Sequence, residues 1–326
     1  MTKVLITGAD GFVGREATAA LCQAGYEVRA AVRRPDPSRA ALGSETVAVG
    51  DISAETDWTA ALQGVDLILH LAGRAHITRD RSPDPLADFR TINVGGTTGL
   101  ARQAARCRVR RLVYVSSVKV NGELTNGRAF TEDDLPDPRD AYGLSKWEAE
   151  RALWRIASDT GIEAVVVRPV LVYGPRVRGN FLSLLDFIYR GIPLPLASVE
   201  NRRSMVALRN LTHLLVCTVQ HPAAAGETFL ASDGEDDSTE GWIRRIAAAL
   251  GRPARLFPFP VPGMRFAARV LGRLGAVERL CGSLQVDSSK AVRQLGWNRP
   301  VSVNQELRRT AAWYLSAFTR REGISA

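Results

Sequence analysis

The chain has 326 residues, of which 45% are hydrophobic, so it is long enough and apolar enough to bury a large core. Its formal charge of +9 comes mainly from arginines spread along the chain without an aromatic-interleaved basic stripe, which argues against a nucleic-acid partner. No apolar run approaches the roughly 18 residues of a membrane span, and the N-terminal apolar stretch is only as long as a strand, so neither a span nor a signal peptide is expected.

Alternating strand and helix patterns fill the first half of the chain. Strands are predicted near residues 3–7, 27–32, 46–49, 66–71, 111–116 and 164–168, with helical patterns between them. Pro169 should stop the sixth of these strands. This alternation predicts an α/β fold with a Rossmann-type doubly wound parallel sheet.

The second half is less regular, and its elements suggest a second lobe. Helices are predicted near 180–190, 209–220, 239–250, 263–274 and 303–319, with a strand at 228–230 and a short helix that follows Asp287 and ends at Gly296. We expect residues 1–174, with a return at about 204–231, to form the dinucleotide-binding domain. A smaller, mixed substrate lobe would comprise about 175–203 and 232–326.

Three glycines follow the first predicted strand. Gly8 permits a tight turn, Gly11 lets the backbone approach a pyrophosphate, and Gly14 lets the next helix, predicted from Arg15 to Ala24, lie close on the strand. The N-terminus of that helix supplies N–H donors to phosphate. A dinucleotide is therefore the predicted ligand of this turn.

A tyrosine and a lysine lie four residues apart in Tyr142-Gly143-Leu144-Ser145-Lys146. If Tyr142 opens a helix, Lys146 lies one turn later on the same face. A nearby ammonium would lower the pKa of the phenol from about 10 toward neutrality, so that it could exchange a proton with a sugar or alcohol hydroxyl. Ser117 follows a predicted strand, where active-site groups collect in parallel sheets, although Ser116 could be the contacting hydroxyl instead.

Taken together, these motifs resemble the extended short-chain dehydrogenase/reductase family, the NAD-dependent epimerases, dehydratases and reductases of nucleotide sugars. The resemblance runs along nearly the whole chain and includes further motifs in the family's order: Gly50-Asp51, His70-Leu71-Ala72-Gly73, Asn93-Val94-Gly95-Gly96-Thr97, Arg168-Pro169 and Val172-Tyr173-Gly174-Pro175. It implies that Ser117, Tyr142 and Lys146 are catalytic, with Lys146 also binding the nicotinamide ribose. No metal is implied, and the four scattered cysteines lack metal-ligand spacing and are expected to be reduced thiols in the cytoplasm.

The resemblance also implies which residues hold the cofactor. Besides Lys146, they are Gly8, Gly11, Phe12, Val13, Gly14, Arg33, Arg34, Asp51, Ile52, Leu71, Ala72, Gly73, Asn93, Ser116 and Pro169. An acidic residue after the second strand would bind the ribose of NAD. Here Arg33 and Arg34 occupy that place and could grip a 2′-phosphate, so NADP is preferred over NAD.

For the substrate, the resemblance implies a nucleotide-diphosphate sugar. Its contacts would be Asn180, Arg203 and Arg279 together with Ser117 and Tyr142, and a bidentate arginine such as Arg203 suits a diphosphate. The 4,6-dehydratases of the family carry an Asp-Glu pair where this chain has Val118 and Lys119. Dehydration is therefore disfavoured, because valine cannot transfer a proton.

Within the family, the chain resembles a bacterial subgroup linked to surface-polysaccharide sugars. The leading hypothesis is reduction of the 4-keto group of UDP-2-acetamido-2,6-dideoxy-4-hexulose to UDP-N-acetylquinovosamine. The alternatives are a UDP-hexose 4-epimerase, which uses the same three residues, and a non-catalytic dinucleotide-binding sensor or assembly protein. A homodimer built from helices near 94–106 and 142–158 is a further family-level expectation.

Overall fold

A seven-stranded parallel sheet forms the centre of the fold in a computed structural model that describes residues 1–34, 44–75, 82–272 and 274–322. The nine strands of the described chain are β1 (Lys3–Thr7), β2 (Glu27–Val32), β3 (Ser44–Ala48), β4 (Leu67–His70), β5 (Arg111–Val115), β6 (Glu163–Pro169), β7 (Leu171–Tyr173), β8 (Met205–Ala207) and β9 (Thr228–Ala231). The large sheet has the order β3-β2-β1-β4-β5-β6-β9, and each pairing is parallel. The predicted doubly wound α/β fold is confirmed.

Helices cover both faces of this sheet, which explains why its strands are almost continuously apolar. The described α-helices are α1 (Phe12–Gln23), α2 (Thr59–Leu62), α3 (Pro85–Phe89), α4 (Gly96–Arg106), α5 (Ala141–Thr160), α6 (Gly179–Tyr189), α7 (Leu208–Gln220), α8 (Thr239–Leu250), α9 (Val261–Val270), α10 (Leu274–Cys281), α11 (Ser289–Leu295) and α12 (Val303–Glu322). A π-helical turn (Arg90–Gly95) joins α3 to α4, and short 3-10 turns span Val118–Val120 and Pro222–Ala224. Among the described helices, none is long and apolar enough to cross a membrane.

Three apolar clusters stabilise the structure. Two of them lie on opposite faces of the large sheet and contain alternate residues of the same strands, such as Ile6 and Leu5 of β1. The third lies in the C-terminal half, where Tyr173 packs on Phe181 and Trp242.

Two local predictions differ from the structure. The helix predicted near 263–274 is α9, which ends at Val270 before Gly272 with its left-handed φ of +64°, and the following helix α10 was not predicted. The strand pair β7–β8 was not predicted: β7 pairs in parallel with β8 in a separate two-stranded sheet. Each strand has three residues, too few for an alternating pattern to show in the sequence.

Candidate active site

The turn between β1 and α1 holds its glycines because side chains would not fit. Gly8 has a left-handed φ of +65°, and a Cβ at Gly14 would lie 2.1 Å from the carbonyl oxygen of Gly8. The helix begins at Phe12, three residues before its predicted start, and its N-cap Gly11 provides no side-chain cap. The first-turn N–H groups of α1, which include those of Phe12 and Val13, therefore point toward the sheet end without a capping side chain, an arrangement that suits a pyrophosphate.

The three catalytic candidates come from two adjacent segments at the carboxyl end of the sheet. Ser117 follows β5 and accepts a hydrogen bond from the Lys119 N–H at 3.2 Å. Tyr142 lies in the first turn of α5, whose N-cap Asp140 accepts from the Gly143 N–H at 2.7 Å. The structure therefore places the serine and the tyrosine near each other, close enough for the Ser117 hydroxyl to lower the pKa of Tyr142.

The pKa of Tyr142 differs from the prediction. Burial raises it to about 12, the nearby Ser117 hydroxyl opposes that rise, and the negative charge of Asp140 adds to it. The predicted lowering toward neutrality by Lys146 is therefore wrong for the protein chain by itself. At neutral pH the phenol is protonated, which makes Tyr142 a proton donor first.

Lys146 is buried and its charge is poorly solvated. Its Nζ donates to the carbonyl oxygen of Val115 at 2.7 Å and lies 4.0 Å from the ring centre of Tyr114. Burial lowers the pKa of Lys146 to about 7, although the carboxylate of Glu150 opposes this shift. The amine therefore stands close to its titration point at physiological pH.

We expect this buried amine to make folding stability depend on pH. Because the pKa of Lys146 is about 7 in the folded chain and 10.5 ordinarily, the unfolded state binds the extra proton between these values, and the free energy of unfolding rises with pH. Urea unfolding of wild type and Lys146→Met between neutral and mildly alkaline pH should show the wild type gaining about 1.4 kcal/mol per pH unit relative to the variant.

Three partly buried cysteine thiols have raised pKa values, which make the free energy of unfolding fall as the pH rises. This contribution is the same in both proteins and cancels when their free energies of unfolding are subtracted. Lys290→Met, at a half-buried lysine paired with Glu227, is the matched control and should leave the pH slope unchanged. A pH-independent difference between wild type and Lys146→Met would contradict the low pKa of Lys146.

A chain of buried hydrogen bonds connects the end of β1 to α5, and the sequence did not predict it. His70 Nδ1 contacts the Thr7 hydroxyl at 2.6 Å, and its Nε2 contacts the Thr97 hydroxyl at 3.0 Å. Thr97 in turn donates to the carbonyl oxygen of Asn93 at 2.6 Å. Since that bond uses the Thr97 proton, His70 donates from Nε2 and accepts at Nδ1, and burial holds its pKa at about 3.

Asn93 completes this chain from the π-helical turn. Its Nδ2 donates to the Ser145 hydroxyl at 2.9 Å, and Ser145 donates to the carbonyl oxygen of Tyr142 at 2.8 Å. Its Oδ1 accepts from the Arg74 N–H at 2.8 Å, which fixes the segment after Gly73. Asn93, predicted to hold the cofactor, thus joins the loop after β4 to α5.

A buried ion pair lies beneath the lysine and was also missed. Glu150 accepts two hydrogen bonds from Arg168, at 2.6 and 3.0 Å, and Arg168 donates a third to Asn121 at 3.1 Å. Glu150 follows Lys146 by one turn on the same helix face, which was the available signal. Arg168 thus fixes the position of the Glu150 carboxylate, whose negative charge opposes the lowering of the Lys146 pKa.

The remaining residues predicted to hold the cofactor border this edge of the sheet. Leu71, Ala72 and Gly73 follow β4, and the Ala72 backbone lies 3.0 Å from the position of a Cβ on Gly8. Ile52 packs against Gly96 of α4. Pro169 is the last residue of β6 and still pairs with Ala231 of β9, so the prediction that it stops the strand is wrong. Ser116 is buried, and its hydroxyl has no hydrogen-bond partner within the described part of the chain. A polar ligand atom at this position would satisfy it, so these residues fit a dinucleotide.

Opposite charges lie at the end of β2, where the ribose of the cofactor is predicted to bind. Arg33 lies at the end of β2 and forms an ion pair with Asp51, at 3.1 Å between Nε and Oδ1. Both side chains are exposed, as is Arg34. The same position thus offers cations for a 2′-phosphate and a carboxylate for ribose hydroxyls.

The structure brings together two of the three predicted substrate residues. Arg203 is half-buried and donates to the Gly282 carbonyl oxygen at 2.9 Å. Burial lowers its pKa, and so does the charge of Arg279 in the last turn of α10. Two neighbouring cations suit a diphosphate, although the carboxylate of Glu123 also acts on Arg203. Asn180 is exposed in α6, and no hydrogen bond joins it to another predicted site residue in the described ranges.

Comparison with known proteins decides the family. The model of the NAD dependent epimerase/dehydratase family matches residues 4–231. The chain belongs to this family. It is an NAD-dependent enzyme of the extended short-chain dehydrogenase/reductase type, and among the described residues no cluster of histidine, cysteine and carboxylate side chains could hold a metal ion.

Relatives within the family match over the full length of the chain. A UDP-glucose 4-epimerase of Vibrio cholerae is 41% identical over 97% of each chain. An N-acetyl-alpha-D-glucosaminyl-diphospho-ditrans,octacis-undecaprenol 4-epimerase of Escherichia coli O157:H7 is 28% identical over 94% of this chain and 93% of its own. The solved structure of a UDP-glucose 4-epimerase from Thermotoga maritima with UDP-glucose shares the fold with a TM-score of 0.77, at 19% identity over 97% of this chain and all of its own.

Proposed function

We propose that the protein is a UDP-hexose 4-epimerase. The observation that carries this proposal is the 41% identity to the Vibrio cholerae UDP-glucose 4-epimerase across 97% of both chains. The 4-keto reductase favoured by the sequence motifs becomes the second candidate. The arrangement of Ser117, Tyr142 and Lys146 supports both, because each reaction moves a proton at the sugar's O4.

In this proposal, different residues of the site have different roles. The nicotinamide, when bound, supplies a hydride acceptor and donor. Ser117 and Tyr142 would hold the O4 atom, and Tyr142 would move its proton. Lys146, with a pKa of about 7, would bind the ribose and share charge with the phenol. Arg203 and Arg279 would anchor the diphosphate while the sugar turns to present its opposite face.

One observation favours the reductase. Arg33 and Arg34 lie at the end of β2, where they could grip the 2′-phosphate of NADP, a cofactor that a reductase consumes. Asp51, paired with Arg33, supports NAD instead. We propose that NAD is held for epimerisation and that NADP binding would accompany the reductase activity.

Two measurements on one purified sample distinguish these functions. The first is release of bound nucleotide by heat and its identification as NAD or NADP, followed by incubation with UDP-glucose and detection of UDP-galactose. The second is loss of NADPH or NADH absorbance with UDP-2-acetamido-2,6-dideoxy-4-hexulose. Interconversion without added cofactor supports the epimerase, stoichiometric cofactor loss with the ketosugar supports the reductase, and inactivity in both would favour a non-catalytic module.

We also propose that the enzyme works as a cytoplasmic homodimer in the synthesis of surface polysaccharide. Helices α4 and α5 pack against each other and would together form the interface. Light scattering should give twice the chain mass of 35.5 kDa. A monomer at working concentration would contradict the dimer without affecting the proposed chemistry.

A further inference from the structure

The hairpin of α9 and α10 exposes an apolar surface. Phe266, Val270 and Leu271 are 70%, 73% and 72% exposed, whereas Met264 and Ala268 on the opposite side of α9 are buried, Met264 within the third apolar cluster. Single exposed apolar residues are common, but three large ones within six positions of one helix end are not. Helix α9 is therefore amphipathic with an apolar side turned away from the protein.

The same segment is strongly basic. Residues 251–283 contain six arginines and one glutamate, so they carry +5 of the chain's formal +9. Arg265 and Arg269 are exposed, one turn apart on α9, beside Phe266 and Val270. Neither forms an ion pair with a carboxylate within residues 1–34, 44–75, 82–272 and 274–322. Two cations thus border the exposed apolar side chains without neutralising partners.

We propose that this hairpin docks the enzyme onto an anionic lipid surface. Phe266, Val270 and Leu271 would enter the boundary between headgroups and acyl chains, and Arg265 and Arg269 would contact lipid phosphates. Charge complementarity selects this occupant. A two-fold pairing of hairpins from two copies would set one positive surface against another, which is unfavourable.

Docking would bring Arg279 and Arg203, the arginines proposed to bind the diphosphate, close to the lipid. Arg279 lies on α10, the second helix of the hairpin, and its charge acts on Arg203. The lipid-facing segment and the predicted diphosphate site are therefore parts of one structural unit. The docking itself rests on the exposed hairpin and not on the proposed activity, so either can fail alone.

Sedimentation with vesicles tests the proposal on the full-length protein. Vesicles of equal parts phosphatidylglycerol and phosphatidylcholine should carry the wild type down, and vesicles of phosphatidylcholine alone should not. Arg265→Gln/Arg269→Gln should weaken binding about 25-fold, because each arginine near an anionic surface contributes roughly fivefold. Phe266→Ser/Val270→Ser should weaken it at least about tenfold through lost apolar burial.

Arg293→Gln/Arg308→Gln is the matched control, since it removes the same charge from exposed positions on α11 and α12. It should bind the anionic vesicles as the wild type does. The proposal is overturned if the wild type stays in solution with anionic vesicles, if it binds both vesicle types equally, or if the control variant loses as much affinity. A smaller particle mass for Phe266→Ser/Val270→Ser, without vesicle binding by the wild type, would assign the surface to a second copy instead.

Discussion

Replacing Tyr142 by phenylalanine is expected to lower kcat for UDP-hexose epimerisation by about 10²–10⁴-fold, the usual contribution of a positioned acid or base. Oxidation at C4 needs a group that accepts the O4 proton, and reduction needs one that returns it, and Tyr142 is the group proposed for both steps. Because burial holds the phenol protonated in the chain by itself, it must lose its proton before it can act on UDP-glucose. The ring would remain packed near Phe89, at 5.9 Å between ring centroids. Stability and nucleotide content should therefore stay close to those of the wild type.

Tyr26→Phe provides the matched control, since it removes a phenolic hydroxyl that lies at the start of β2, away from the candidate site. Turnover by coupled assay and bound nucleotide by absorbance should both be unchanged in this variant. If Tyr142→Phe turned over UDP-glucose at the wild-type rate, catalysis by Ser117, Tyr142 and Lys146 would be wrong. Loss of bound nucleotide in Tyr142→Phe would instead indicate a structural role.

Replacing Arg203 by methionine is expected to raise KM for the nucleotide sugar about 100-fold, with a smaller effect on kcat. A hydrogen bond to a charged group contributes about 1.5–3 kcal/mol, and Arg203 can offer two to a diphosphate. The same change removes a half-buried cation whose pKa is lowered by burial and by the charge of Arg279, so the substrate-free protein should be about as stable as the wild type.

The neighbouring Arg202 gives a close control because it is exposed and precedes Arg203 directly. Arg202→Met should leave KM within a few-fold of the wild type, as surface substitutions usually do. Steady-state kinetics and urea unfolding of both variants decide the matter. An unchanged KM for Arg203→Met, or a marked loss of stability, would show that Arg203 is a structural residue held by Gly282.

The parts of the site that the sequence predicted are those set by local backbone rules. The turn at Gly8, Gly11 and Gly14 was predictable because the strand and the helix lie so close together that a Cβ at Gly14 would not fit. The meeting of Ser117 with Tyr142 follows from parallel strands, whose carboxyl ends share one edge of the sheet. A period of 3.6 residues then suffices to put Lys146 on the same helix face.

The missed parts depend on contacts between distant segments. The hydrogen bonds of His70 join Thr7 to Thr97, and no periodic pattern relates those three positions. The π-helical turn that contains Asn93 was not predicted, because a difference of about one residue per turn leaves no distinct trace in composition. The pKa of Tyr142 was also mispredicted, since burial of the phenol outweighs any charge that spacing alone can suggest.

The order of strands along the chain has a consequence for recombining this enzyme with its relatives. Strand β9 completes the edge of the large sheet beside β6, yet it is synthesised only after α6, β8 and α7, and the chain then leaves the sheet again. A hybrid made with one crossover would therefore join a sheet from one parent to an edge strand from the other. In the division predicted for this chain, the substrate lobe consists of one segment before β8 and a second segment after β9. Under that division, exchanging sugar preference between family members would require both segments to be transplanted together.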